Sequence, residues 1–188
     1  GLAPPGSLTA AMARELVEFG RARGVTVVAQ PNLIGHCEGL GATERYAELT
    51  CDPFRQIPWG GYEQLNLEKP EARDLVRRML ADVCAAFPGE YLHIGGDEVR
   101  RMDCLFPSDR DRQVARMLEY FAFVLGEARR TGRRIMMWGD MPLHHDVLMR
   151  TLPRDVIICD WHYGPEGSRE TLARYQALLG PKASIARA

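Results

Sequence analysis

The chain lacks any hydrophobic run approaching the roughly 18 residues needed to cross a bilayer, so no membrane-spanning helix is expected. It also lacks an excess of either charge. Its 24 basic and 25 acidic side chains leave a formal net charge of −1. That balance gives no electrostatic reason to expect nucleic acid or an anionic membrane as a partner. The arginines alternate with acids and read as solvated helix faces. Five cysteines (Cys37, Cys51, Cys84, Cys104 and Cys159) occur without a Cys-x-x-Cys spacing. An odd, scattered set argues against a disulfide framework or a zinc ribbon. Reduced thiols packed as small hydrophobes are expected, as suits a cytoplasmic setting. The opening Gly-Leu-Ala-Pro-Pro-Gly holds neither a basic leader nor an apolar core, so no signal peptide is expected. What is present is an ordinary globular composition: 188 residues, 46% hydrophobic. One domain spanning residues 1–188 is the simplest organisation.

Periodicity supplies the next layer. Leu8, Met12, Leu16 and Phe19 recur at helical spacing over about Leu8–Arg23, with Ser7 as a cap and Gly24 as a stop. Val25–Ala29 is a continuous apolar run, as expected for a strand buried on both faces. A polar stretch with glycine and proline follows to about Asn66, and so long a loop in a compact domain is usually functional. A second helix is predicted over Pro70–Phe87 and a strand over Tyr91–Ile94. Further on come a helix over Arg110–Arg130, strands over Arg134–Trp138 and Val156–Cys159, and a helix over Arg169–Leu179. Ala183–Ala186 reads as the opening of another strand. Strands alternating with helices imply right-handed βαβ units and a parallel sheet. Periodicity alone does not separate a (β/α)8 barrel from an open doubly wound sheet.

The densest chemistry lies at His93-Ile94-Gly95-Gly96-Asp97-Glu98. A strand ending in two glycines can bend sharply and approach a ligand closely. Two neighbouring carboxylates there repel each other, so at least one is expected to have a raised pKa. Catalytic groups of β/α barrels sit at the C-terminal ends of strands. Every notable residue falls at such a position: His36 and Glu38, Asp97 and Glu98, Trp138 and Asp140, then Trp161-His162-Tyr163.

These residues resemble the active-site signature of glycoside hydrolase family 20, the β-N-acetylhexosaminidases. Leu65-Asn66-Leu67, Pro70, Phe87-Pro88 and Tyr91 through Val99 follow that family's order and spacing. Gly35-His36, Met137-Trp138-Gly139-Asp140 and Asp160-Trp161-His162-Tyr163 fall where the family places a Gly-His turn and its pocket-lining aromatics. The resemblance implies a (β/α)8 TIM-barrel catalytic domain. A full barrel needs about 250 residues. The chain therefore reads as a partial barrel, about strands 3 to 6 and the start of 7, whose open edges invite self-association. It implies an N-acetylhexosamine-containing oligosaccharide or glycoconjugate as substrate, and no cofactor.

In the substrate-assisted reaction that the resemblance implies, there is no protein nucleophile. Glu98 would be the general acid and base, and Asp97 would orient the 2-acetamido group. Tyr163 would donate its hydroxyl to the acetamido oxygen, while Trp138 and Trp161 wall the pocket beside Asp140. His36 would tune Glu98 through hydrogen bonds, and His93 would fix the loop. The family's Glu-x-Asp before its Pro-Gly-His turn appears here as Gln30 and Asn32, and its proline as Ile34. Two other readings stand beside this one. One is a non-catalytic sugar-binding relative or inactive fragment. The other is a metal-dependent hydrolase using His36, Glu38, His93, Asp97 or the His144-His145-Asp146 cluster, none of which has a recognised ligand spacing.

Overall fold

Aliphatic runs separated by amphipathic helices give a four-stranded parallel sheet, seen here in a computed structural model that describes residues 6–51, 63–99, 108–163, 167–180 and 185–187. The elements are α1 (Ala10–Arg21), α2 (Glu38–Gly41), a 3₁₀ turn (Ala47–Leu49) and α3 (Pro70–Ala86), followed by β1 (Tyr91–His93) and α4 (Arg110–Arg129). The rest are β2 (Arg134–Trp138), α5 (Asp140–His144), α6 (Asp146–Thr151), β3 (Ile157–Asp160), α7 (Gly167–Leu179) and β4 (Ile185–Arg187). The strands pair in sequence order, all parallel, with Leu92 opposite Ile135, Met137 opposite Ile158 and Cys159 opposite Ala186. Sequential parallel neighbours joined through helices are the repeat unit of a β/α barrel. The arrangement delivers the C-terminal ends of β1, β2 and β3 to one rim.

The core lies on the face of this sheet that α3 and α4 cover. Leu92, Ile94, Met137 and Ile158 from the strands meet Leu75, Val76 and Leu80 of α3 and Tyr120, Phe121 and Val124 of α4, all buried. Pro70 opens α3, where its missing N–H costs no hydrogen bond. Asp109 caps α4, its carboxylate accepting from the Arg112 N–H at 3.0 Å. The described cysteines, Cys37, Cys51, Cys84 and Cys159, are free thiols. Cys104 lies outside the described residues. Burial raises the Cys37 thiol far above its usual pKa and the Cys159 thiol to about 11, which keeps both unreactive.

Two expectations at the start of the chain are corrected. The strand predicted at Val25–Ala29 is reduced to one parallel bridge, Ala29 with Leu92, in which the Ala29 carbonyl accepts the His93 N–H at 3.0 Å. The Val25 N–H is instead held by the Gly20 carbonyl at 2.9 Å. A Cβ at Gly20 would lie 2.9 Å from the Val25 oxygen, so the segment folds back tightly on α1 before it can join the sheet. Second, Thr9 rather than Ser7 caps α1, through the Met12 N–H at 3.2 Å. The stripe expected to face the core is on the outside: Leu8, Met12, Leu16 and Phe19 are 44–57% exposed. Small residues, Ala13, Val17 and Gly20, form the buried face of α1, which packs against α3. Apolar spacing identified the helix but not which apolar face turns inward.

The long connection before α3 is built rather than loose. It holds α2, the 3₁₀ turn and an antiparallel bridge between Thr50 and Leu65, with Glu63 and Gln64 buried; residues 52–62 lie outside the described residues. No helix among the described residues is long and apolar enough to cross a membrane. The exposed stripe of α1 and the buried strand β1 predict contrasting substitution costs. Leu92→Ala should cost about 2–5 kcal/mol by opening a cavity at a fully buried site. Leu16→Ser should stay within about 0.5 kcal/mol of the wild type. Urea unfolding curves would measure both, and an equal loss for the two would contradict this placement of α1.

Candidate active site

The backbone leaves β1 through a turn that only glycine accommodates. Gly95 and Gly96 have φ values of 69° and 84°, in the left-handed region. A Cβ at Gly95 would lie 2.9 Å from Asn32 Oδ1, and one at Gly96 would lie 3.0 Å from Phe121 Cε1. The chain thus threads between the loop after Ala29 and the core face of α4, a passage that excludes a side chain. The turn is latched by His93, whose Nδ1 accepts the Gly95 N–H at 3.0 Å. Beyond it Glu98 itself adopts φ 48°, and facing it His36 adopts φ 53°. A non-glycine residue held there costs on the order of 1–2 kcal/mol. Each is anchored by a hydrogen bond to its own backbone. The Glu98 N–H donates to Asp140 Oδ2 at 2.9 Å, and the His36 carbonyl accepts from Asn32 Nδ2 at 3.2 Å.

These anchors bring three carboxylates around one imidazole. His36 Nε2 lies 3.3 Å from Glu98 Oε2 and 3.4 Å from Asp97 Oδ2, while its Nδ1 lies 3.5 Å from Glu38 Oε1. All four side chains are between one-fifth and just over one-third exposed, so their interactions are only partly screened by water. The Asp97 carboxyl has a raised pKa, as the sequence suggested, but the order of causes differs. Burial comes first, and the nearby His36 pulls the other way. Repulsion from Asp140 and Glu98 contributes less. Desolvation outweighs the neighbouring charges because the turn places Asp97 against the core rim.

The aromatic candidates divide between two places. Trp138, the last residue of β2, packs against His93 with ring centroids 4.5 Å apart and planes tilted by 56°. Trp161 meets Tyr163 edge to face at 5.4 Å, and Tyr163 is 99% exposed. Two cavities share Asp140. One, of about 440 Å³, is lined by Glu98, Val99, Met117, Asp140 and His144 among others. The other, of about 420 Å³, is lined by Asp140, Asp160, Trp161, His162 and Tyr163 among others. The structure therefore gathers Asp97, Glu98, His36 and Asp140 into one cluster, with Trp138 behind it, and sets Trp161 and Tyr163 in the adjoining cavity.

Sequence reasoning missed two groups. Asn32, read only as a departure from an acidic pattern, holds the His36 backbone. Asp160, buried at the end of β3, accepts from Thr171 Oγ1 at 2.8 Å and Tyr175 Oη at 3.3 Å, and lies 3.1 Å from His162 Nε2. An acid directly after a buried apolar run was a visible signal for the second. Among the described residues, no group of three or more His, Cys, Asp or Glu side chains is arranged to hold a metal ion.

Comparison with known proteins bears on the family and the fold. The family model of the glycosyl hydrolase family 20 catalytic domain matches residues 3–184. A β-N-acetylhexosaminidase of Cellulomonas fimi is 33% identical over 146 residues, which cover 75% of this chain and 27% of that protein. A β-hexosaminidase 1 of Arabidopsis thaliana is 35% identical over 94 residues, or 49% of this chain and 15% of that protein. Among solved structures, the N-acetyl-β-hexosaminidase of Streptomyces plicatus in complex with Thio-NAglucal superposes with a TM-score of 0.71 at 20% identity, covering 98% of this chain and 34% of that one. The family 20 β-N-acetylhexosaminidase of Streptomyces coelicolor gives 0.71 at 21% identity, covering 99% and 35%. These neighbours have TIM-barrel catalytic domains, so the four strands are part of such a barrel. The chain spans less than a third of the length of the first curated relatives it matches.

The buried latch makes a pH prediction. Burial lowers the His93 pKa from 6.5 to about 4. Between those values the unfolded chain carries the proton and the folded one does not, so stability should fall as pH is lowered through that window. The full effect is about 3 kcal/mol. Asp97, whose pKa is raised, acts with the opposite sign, so the test is a difference. Urea unfolding of the wild type and His93→Asn at pH 7 and pH 5 should show the wild type losing more stability on acidification. Equal losses would mean His93 is not held neutral.

Proposed function

The chain belongs to glycosyl hydrolase family 20, and on that premise we propose that it carries the acid/base portion of a glycosidase. The reaction removes a β-linked N-acetylhexosamine, GlcNAc or GalNAc, from an oligosaccharide or glycoconjugate. The observation that carries this reading is one imidazole set 3.3 Å from Glu98 and 3.4 Å from Asp97, at the strand ends and beside an open cavity. Adjacent carboxylates on one turn suit a single small sugar ring, whose glycosidic oxygen and 2-acetamido group need different partners a few ångströms apart.

Glu98 protonates the departing glycosidic oxygen while the acetamido oxygen of the sugar attacks the anomeric carbon. The C–O bond to the leaving group breaks and a cyclic oxazolinium forms. The Glu98 carboxylate then takes a proton from water as it opens that ring, so configuration is retained. Asp97 holds the acetamido N–H and stabilises the positive charge of the intermediate. Its burial strengthens that interaction, because little water competes for the carboxylate. His36 supplies a partner to both acids and offsets part of the desolvation of Asp97. Asp140 lies beside them, Trp138 backs the turn, and Trp161 with Tyr163 gives an aromatic wall in the adjoining cavity, suited to sugar C–H groups and an acetyl methyl.

In the full-length protein, Glu98→Gln should lower kcat on an N-acetylhexosaminide by about 10²- to 10⁴-fold. Binding of a GlcNAc-thiazoline, read as a rise in melting temperature, should survive. Undiminished turnover by Glu98→Gln would refute the assignment. His36→Ala removes the group that holds the Asp97 pKa down, so the acid limb of the kcat/KM profile should move to higher pH. A profile that stays in place would separate His36 from the acid pair.

A further inference from the structure

Resting on the hydrolase reading above, we propose that Asp140 is a positioning residue that sets the acid/base Glu98 through its backbone rather than by touching substrate. The observations concern the backbone at Glu98. A glutamate at φ 48° is in a conformation that L side chains rarely adopt. Its N–H donates to Asp140 Oδ2 at 2.9 Å, a charge-assisted bond. Bonds of that kind are roughly twice as strong as neutral ones, enough to offset a left-handed residue.

Asp140 in turn has little freedom. It directly follows β2, and the Gly139 N–H before it donates to the Cys159 carbonyl at 2.9 Å. The Gly139 carbonyl accepts from Tyr175 Oη at 3.0 Å, and the same hydroxyl reaches Asp160 Oδ1 at 3.3 Å. Tyr175 is fully buried, and a Cβ at Gly139 would lie 2.0 Å from its oxygen. A rigid line therefore runs from α7 through Tyr175 and Gly139 to Asp140, and across the strand gap to the Glu98 amide. Among the described residues the other oxygen of Asp140, Oδ1, is buried with no hydrogen-bond partner, so the bond this carboxylate makes there is the one to the neighbouring turn.

Losing this bond should let Glu98 relax away from the leaving oxygen and weaken proton donation while leaving sugar binding intact. In the full-length protein, Asp140→Ala should lower kcat at least about tenfold on an alkyl N-acetylhexosaminide at little change in KM. On a 2,4-dinitrophenyl glycoside, whose leaving group needs no proton, the loss should shrink to about threefold or less. Asp140→Asn keeps an acceptor at the same place and should retain most activity. It also serves if Asp140→Ala does not fold. A raised KM with unchanged kcat would make Asp140 a substrate ligand and overturn the proposal, as would an equal loss on both substrates. A readout independent of turnover is the Glu98 amide resonance in ¹⁵N-labelled protein. It should shift in Asp140→Ala and stay close to its wild-type position in Asp140→Asn. Absence of turnover on every N-acetylhexosaminide would sink the hydrolase reading alone, while an amide that ignores Asp140→Ala would sink this one.

Discussion

The site depends on the backbone leaving β1 in the left-handed region through a gap that admits no side chain. Asn32 closes one side of that gap and Phe121 the other. If either glycine carried a Cβ, the turn would have to widen and Asp97 and Glu98 would leave the rim together. The constraint therefore comes from the core and not from the acids. Phe121 is placed by the packing of α4 on the sheet, and Asn32 by its hold on the His36 carbonyl. Asn32, one of the two neighbours that shape the turn, also fixes the histidine opposite it, so the two sides of the acid pair share an anchor.

That constraint explains the electrostatics. A turn pressed against a packed core is dry on one side, and desolvation becomes the largest influence on Asp97. Mutual repulsion of the adjacent acids, the intuitive cause, contributes less than burial does. His36 sits nearly equidistant from both acids, so it compensates the pair and not one member. Behind the turn, His93 is held neutral and its Nδ1 must act as an acceptor towards Gly95. A protonated ring would carry a hydrogen on that nitrogen and lose the latch.

Much of this was legible in the sequence because it is local. Alternating aliphatic runs and helical stripes located α3, β1, α4, β2, β3 and α7 but not the short α5 and α6, and the Gly-Gly-Asp-Glu turn announced a strand end bearing chemistry. What escaped detection was decided by tertiary partners. Val25–Ala29 has the composition of a buried strand, yet Gly20 draws Val25 back onto the helix. Leu8, Met12, Leu16 and Phe19 have the spacing of a core stripe, yet the smaller Ala13, Val17 and Gly20 are buried instead. At the site, the pairing of His36 with the acids was implied by the resemblance to a family that has a Gly-His turn there. The work of Asn32 and Asp140 was not, since both act on backbone atoms that no side-chain pattern reveals.

The parallel sheet also determines which part of a site such a chain can hold by itself. Neighbouring parallel strands end side by side, so groups at the ends of β1 and β2 meet across a single strand gap without help from the far wall of a barrel. The link from Glu98 to Asp140 crosses that gap directly, and the link from Gly139 to Cys159 crosses the next. On the proposed reading, acid/base positioning is therefore a property of adjacent strands. Enclosing a sugar ring is different in kind, because it requires walls on opposite sides of the barrel axis. On the proposed reading, Trp161 and the exposed Tyr163 form one such wall, an aromatic surface placed at the rim.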